Sequence, residues 1–215
     1  YPPTITTMGQ KILDVHKIQH IISINEDSNE IIKRIKNLYE KYTNKNHLLF
    51  SELVSKIDLN SRYDDTNIVL IKRLLQRDIE LEIREKICDN LFNDIVTNDK
   101  SEFIKSLYMD SNDLLKLYSL NHEIGSHGYD HFHLSYLSRS IQEQEIRKSI
   151  DYLRNLNLLR DDWSMCYPYG DYNTDSLDIL NNLNCNIGLT TIPKENDRLN
   201  YANLELTRWD TNDFL

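Results

Sequence analysis

Asn121-His122-Glu123-Ile124-Gly125-Ser126-His127-Gly128-Tyr129-Asp130-His131 gathers three of the seven histidines of this 215-residue chain into eleven residues. His127 and His131 stand four residues apart with Gly128 between them. At that spacing one helical turn would point both imidazoles at a single spot. The lead-in, Ile124-Gly125-Ser126, is short and tight and reads as the end of a strand. A strand that ends in a turn carrying two ligands is a common way to place a site at the mouth of an α/β sheet or barrel. An arbitrary pair at this spacing is more often two polar loop residues. Here the strand, the glycine and Asp130 just before the second histidine favour a divalent ion. Imidazole suits Zn²⁺, and such a site needs at least one further protein ligand. His122, at the start of the strand, is read as structural, and His133 as a weaker ligand candidate.

Beyond this stretch the chain alternates. Ser138 precedes a helix over about 138–156, with Ile141, Ile146, Ile150 and Leu153 as its apolar positions. Trp163 to Tyr167 is strand-like and ends in the turn Pro168-Tyr169-Gly170. Thr174 is expected to cap a helix bearing Leu177, Leu180 and Leu183; Cys185 to Thr191 and Leu204 to Trp209 then read as strands. Strands alternating with helices imply a parallel α/β sheet or barrel. Only three or four such units are visible after residue 121, whereas a parallel barrel needs roughly eight strands.

Upstream the character differs. Residues 1–12 are expected to be extended, because Pro2 and Pro3 resist helix. Residues 13–120 read as almost wholly helical. Asp27 or Ser28 caps a helix whose buried face is Ile31, Ile32, Ile35, Leu38 and Tyr39. Further helical segments fall near 48–57, 67–76, 79–95 and 101–109, and Ser111-Asn112-Asp113 opens another.

The net charge of −9 argues against a nucleic-acid partner, since phosphate binding wants a basic face. No run of about 18 apolar residues is present to span a membrane. Cys88, Cys166 and Cys185 show no C-x-x-C spacing, and an odd number is a poor disulfide framework. That fits a reducing compartment and favours the cytoplasm. A periplasmic or cell-surface location would go with a signal upstream of Tyr1.

Two later stretches carry further chemistry-bearing residues. Cys166-Tyr167-Pro168-Tyr169-Gly170-Asp171-Tyr172 is a rigid turn that can aim a backbone N–H at an oxyanion and offer aromatic faces to a sugar. Arg208-Trp209-Asp210 sets a cation, an indole and a carboxylate at a strand end.

Together and in this order, the three stretches resemble the polysaccharide deacetylases, the NodB-homology domain of carbohydrate esterase family 4. The resemblance covers roughly residues 119–213. It implies an incomplete or distorted (β/α) barrel over 1–215, with 13–120 a mostly helical insertion and 121–215 the β/α core. It implies His127 and His131 as metal ligands, for Zn²⁺ or else Co²⁺ or Ni²⁺. It places the Tyr169 N–H in an oxyanion hole and Arg208 and Asp210 at the border of the active site. Tyr167, Pro168, Tyr172 and Trp209 would face the substrate, an N-acetylated oligo- or polysaccharide.

The sequence departs from the family pattern in four places. Gly128 replaces the usual Ser or Thr. Cys166 stands where an arginine is often found, a role Arg208 could take. The Thr-Phe-Asp-Asp-Gly motif, source of the general base and third ligand, is absent; Asp64-Asp65 leads into a helix and does not fit it. No histidine follows His133 to serve as the late general acid. Truncation before Tyr1 is the economical expectation. The rival expectations are a non-catalytic glycan-binding relative and a helical interaction domain with an incidental histidine pair.

Overall fold

A computed structural model describes residues 1–25, 27–61, 64–193 and 203–214. They divide into two compact units, one of Tyr1–Lys11 with Ile104–Leu215 and one of Ile12–Phe103.

The first unit is built on a parallel ladder. Strand β1 (Ser164–Cys166) pairs with β2 (Ile187–Leu189), Ser164 opposite Ile187 and Cys166 opposite Leu189. A single parallel bridge extends the ladder on either side, Ser126 to Met165 and Leu206 to Leu189. Four segments thus lie side by side in chain order. Helix α9 (Arg139–Asn155) lies between the first two in sequence and α10 (Thr174–Asn182) between the next two. This confirms the parallel α/β pattern, but the described residues form a short open ladder and are mostly helical. A closed barrel is not formed by them.

The inward stripe of α9 is Gln142, Glu145, Ile146, Ser149, Ile150 and Leu153, whereas Ile141 is 47% exposed. Ile146 and Ile150 pack with Trp163, Met165, Tyr167, Ile179 and Leu180. Gln142 and Ser176 join α9 to α10 through a buried hydrogen bond of 2.7 Å. The cap of α10 is Asn173 and not Thr174; its side chain accepts from the Ser176 N–H at 3.1 Å. Helix α8 (Ser111–Ser119), capped by Asp110, seats Leu114 against Leu153 and Leu158.

Three expected elements differ. The strand expected over Leu204 to Trp209 is reduced to the bridge at Leu206, after a 3-10 turn over Asn203–Glu205. Residues 1–12 are not wholly extended: Pro3 caps a single helical turn, α1 (Thr4–Thr7), whose four side chains are buried. Proline fixes φ near the value a first turn needs, so it starts this turn instead of preventing it. His122 to Ser126 forms no strand beyond the bridge at Ser126. Asn121 takes φ +65, and the His122 N–H caps the end of α8 on the Leu117 carbonyl at 3.1 Å.

The second unit is helical: α2 (Asp14–Ile24), α3 (Ser28–Tyr42), α4 (Phe50–Ser55), α5 (Thr66–Arg73) and α6 (Leu81–Ile95). Helix α7 (Lys100–Leu107) begins in this unit and ends in the first. A π-helical turn, Leu74–Asp78, continues α5. Ile18, Ile21, Ile31, Ile35, Ile71, Leu74, Ile87 and Leu91 are fully buried. Asp27 caps α3 with its side chain on the N–H groups of Asn29 and Glu30. Asp65 caps α5 and Asp64 pairs with Lys72 at 2.6 Å, so the Asp-Asp pair is occupied by local structure. Arg62 and Tyr63 before it lie outside the described residues. Lys17, 4% exposed, sits between Asp14 and Asp89 at 2.9 and 2.8 Å. No helix among the described residues is long and apolar enough to cross a membrane.

Candidate metal centre

The histidine pair converges without a helix. Ser126 is held in the ladder by its N–H on the Ser164 carbonyl and by its carbonyl under the Cys166 N–H, both at 2.9 Å. The chain then turns through Gly128 at φ +75 and His131 at φ +62. Left-handed backbone costs a non-glycine residue roughly 1–2 kcal/mol, so the surroundings must hold His131 there.

They do so from both sides. The carbonyls of Gly128 and Tyr129 accept the N–H groups of Thr4 and Ile5 at 3.1 and 3.0 Å. Glu145 Oε1 accepts the N–H groups of Tyr129 and Asp130 at 2.9 and 2.6 Å. Gly128 stands where the resemblance expects Ser or Thr; any Cβ there would lie 3.1 Å from Glu145 Oε1. Beneath the loop, Ser126 and Ser149 share a hydroxyl hydrogen bond of 2.9 Å, and Thr4 donates to Ser149 at 3.1 Å.

The result is a specific imidazole geometry. His127 Nδ1–H donates to the Cys166 carbonyl at 2.6 Å. That fixes the tautomer and leaves the Nε2 lone pair facing His131 Nε2 at 3.1 Å. Two nitrogens each about 2.0–2.1 Å from one ion lie about 2.8–3.4 Å apart at octahedral or tetrahedral angles. The pair therefore fits a divalent ion as two of its ligands. Among the described residues no group of three or more His, Cys, Asp or Glu forms that could hold a metal. Burial lowers the His127 pKa to about 4, against the Cys166 hydrogen bond, and the Arg208 charge adds to the lowering. The ring is thus neutral, as a ligand must be.

Tyr169 closes one side. It takes φ +59 within the Pro168–Gly170 turn. Its ring meets His131 edge-on at 4.6 Å and stacks flat on His133 at 3.9 Å. His133 Nδ1 is 3.8 Å from the Asp171 carboxylate, which accepts both the N–H and the hydroxyl of Ser135. Arg208 reaches the same end of the ladder: its Nε donates to the Thr190 carbonyl at 2.9 Å, and its side chain hydrogen-bonds Cys166.

The structure thus brings His127, His131, Tyr169 and Arg208 into one neighbourhood. The other expected site residues are engaged in other ways. Tyr167 is 1% exposed, with its hydroxyl on the Leu204 carbonyl at 2.8 Å, so it belongs to the core and cannot offer a face to a sugar. Pro168 is buried and packs beside Gly128. Tyr172 is half-buried, stacks on Tyr167 and donates to Glu205 at 2.9 Å. Trp209 is 48% exposed and packs on Phe214, and the Asp210 N–H bonds Asp213 in an exposed turn.

Glu145 is the residue that sequence reasoning missed. Its signal was a carboxylate on the apolar stripe of α9, between Gln142 and Ile146. Burial pushes its pKa up to about 7; the Asp130 N–H opposes this, the Asp130 charge adds to it, and the Tyr129 and His131 N–H groups oppose it.

Residues 98–188 match the family model described as polysaccharide deacetylase. That segment, which holds His127, His131 and Pro168-Tyr169-Gly170, is thus similar to the polysaccharide deacetylases. Among solved structures, a Streptococcus pyogenes deacetylase, PplD, determined in complex with acetate, is similar at 26% identity, covering 53% of this chain and 44% of that one, with a TM-score of 0.35. The chain therefore spans less than half of that deacetylase. No curated protein matches it.

Proposed function

We propose that the chain belongs to a metal-dependent hydrolase that removes the acetyl group from an N-acetylated amino sugar of a surface or cell-wall polysaccharide. The observation that carries this reading is the His127–His131 pair, with Nε2 atoms 3.1 Å apart and one tautomer fixed by the Cys166 carbonyl, inside the matched segment. His127 and His131 would hold the ion, with Zn²⁺ the first candidate and Co²⁺ or Ni²⁺ the alternatives. A bound ion of this kind polarises an acetyl carbonyl and lowers the pKa of water.

The chain's own groups then have separate tasks. The Tyr169 N–H, presented by a left-handed turn, donates to the developing oxyanion. Arg208 places a positive charge at the end of the ladder beside Cys166, where it orients a carboxylate or a substrate oxygen. Trp209, half exposed, offers a stacking face to the sugar. Proton transfer requires a carboxylate at the pair in addition to those the described residues supply. The mostly helical stretch 13–120 is read as an insertion into the deacetylase-like domain.

The test loads the full-length protein with Zn²⁺ or Co²⁺ and measures acetate released from N-acetylglucosamine oligomers. Release that disappears in His131→Ala is expected. Oligomer binding without release would favour a glycan-binding relative, and a protein that neither takes up metal nor binds the oligomer would overturn the reading.

A further inference from the structure

Glu145 is 4% exposed on the inward stripe of α9. Its carboxylate accepts the successive N–H groups of Tyr129, Asp130 and His131, with Oε1 at 2.9 and 2.6 Å from the first two. Successive amides turned toward one point make a concavity that usually takes a bound anion. Here a side chain of the same protein fills it. The amides belong to the segment that links the two histidines, and His131 ends that segment at φ +62. A left-handed non-glycine residue persists only where its surroundings over-determine it. Thr4 and Ile5 hold the carbonyls of Gly128 and Tyr129, and Glu145 is the group that holds the amides.

We infer that Glu145 is a positioning residue for the histidine pair: by tying three loop amides to α9 it fixes the backbone of His131 and hence the separation of the two Nε2 atoms. The inference rests on the metal reading of the same loop. It assigns Glu145 neither the ion nor a proton-transfer step, because its oxygen is committed to amides and no cluster of three ligand-type side chains forms around the pair among the described residues.

The experiment is a Co²⁺ titration of the full-length protein followed by visible absorption, alongside amide hydrogen exchange of the metal-free protein. Glu145→Ala is expected to weaken Co²⁺ binding roughly 10- to 100-fold, the usual effect of losing a group that orients a ligand, and to shift the d–d bands. Glu145→Gln, which keeps an acceptor oxygen at the same reach, should recover most of the affinity. Leu153→Ala, a buried change on the same helix that leaves the loop alone, should lower the melting temperature but not the affinity. If Glu145→Ala weakens binding no more than Leu153→Ala, the inference is overturned. Should Glu145→Ala not fold, Glu145→Asp, one methylene short, carries the same comparison. If the unaltered protein takes up no Co²⁺, the metal reading fails and exchange alone decides the positioning role. Protection of the Tyr129 and Asp130 amides lost in Glu145→Ala and kept in Leu153→Ala supports it; equal protection in both sinks it.

Discussion

His127 and His131 present their Nε2 atoms to each other at 3.1 Å, and the Cys166 carbonyl holds the opposite nitrogen of His127. A ligand that binds only the folded chain stabilises it by mass action. Zn²⁺ at about 100 times its dissociation constant should add about 2.7 kcal/mol, read as a rise in melting temperature. His131→Ala should abolish that rise, and a chelator should reverse it.

His127 also makes the metal-free protein sensitive to acid. Its pKa is lowered from 6.5 to about 4 in the folded state, so the unfolded chain takes up the proton first. The contribution is fully present above about pH 6.5 and is lost as pH falls toward 4. The size is on the order of 3 kcal/mol. Urea midpoints at pH 7.5 and 4.5 should differ less in His127→Gln than in the parent. An equal pH dependence in both would remove His127 as its source.

Gly170 should not tolerate a side chain. It takes φ +68, and a Cβ there would run into the Thr191 side chain. Gly170→Ala should cost at least about 1–2 kcal/mol from the left-handed backbone alone. Chemical denaturation measures the loss, and the ring contacts of Tyr169, followed by NMR, should loosen with it.

The helical unit depends on Lys17. Its side chain, 5% exposed, bridges Asp14 and Asp89 through the ammonium. Burial alone would lower its pKa, but the two carboxylates raise it. Removing one partner of a fully buried pair costs about 3–5 kcal/mol. Lys17→Ala should lose less than that, because Asp89 is half exposed and keeps Lys100. Lys17→Met, which keeps the apolar stem, should lose less still. Asp89 is held below its usual value, against burial, by Lys17 and then Lys100. Its contribution is therefore present at neutral pH and fades as pH drops below the ordinary aspartate range.

The sequence made His127 and His131 visible because a glycine and an apolar lead-in flank a spaced pair. It suggested the wrong backbone for them. Spacing by four reads as a helical turn, whereas the loop closes through positive φ at Gly128 and His131. Nothing local to His131 announces that conformation; it is imposed by Glu145 and by Thr4 and Ile5, all distant in sequence. Tyr167 misled for a related reason. An aromatic residue beside a Pro-Tyr-Gly turn suits a binding face, but strand alternation turns its ring into the core and its hydroxyl to Leu204. The parallel order of segments was legible from the strand and helix alternation. The shortness of the strands was not, because pairing length is decided by neighbours and not by propensity.

Cys166 has its N–H on Ser126 and its carbonyl on His127. Strand side chains and carbonyls alternate direction with a period of two. A one-residue slip of β1 would therefore present the imidazole with a carbonyl pointing the other way. The protonation pattern of one ring is thus a gauge of whether the sheet has paired in its correct alignment. A chain that folds with β1 misaligned would keep much of its core and lose the ability to capture the ion.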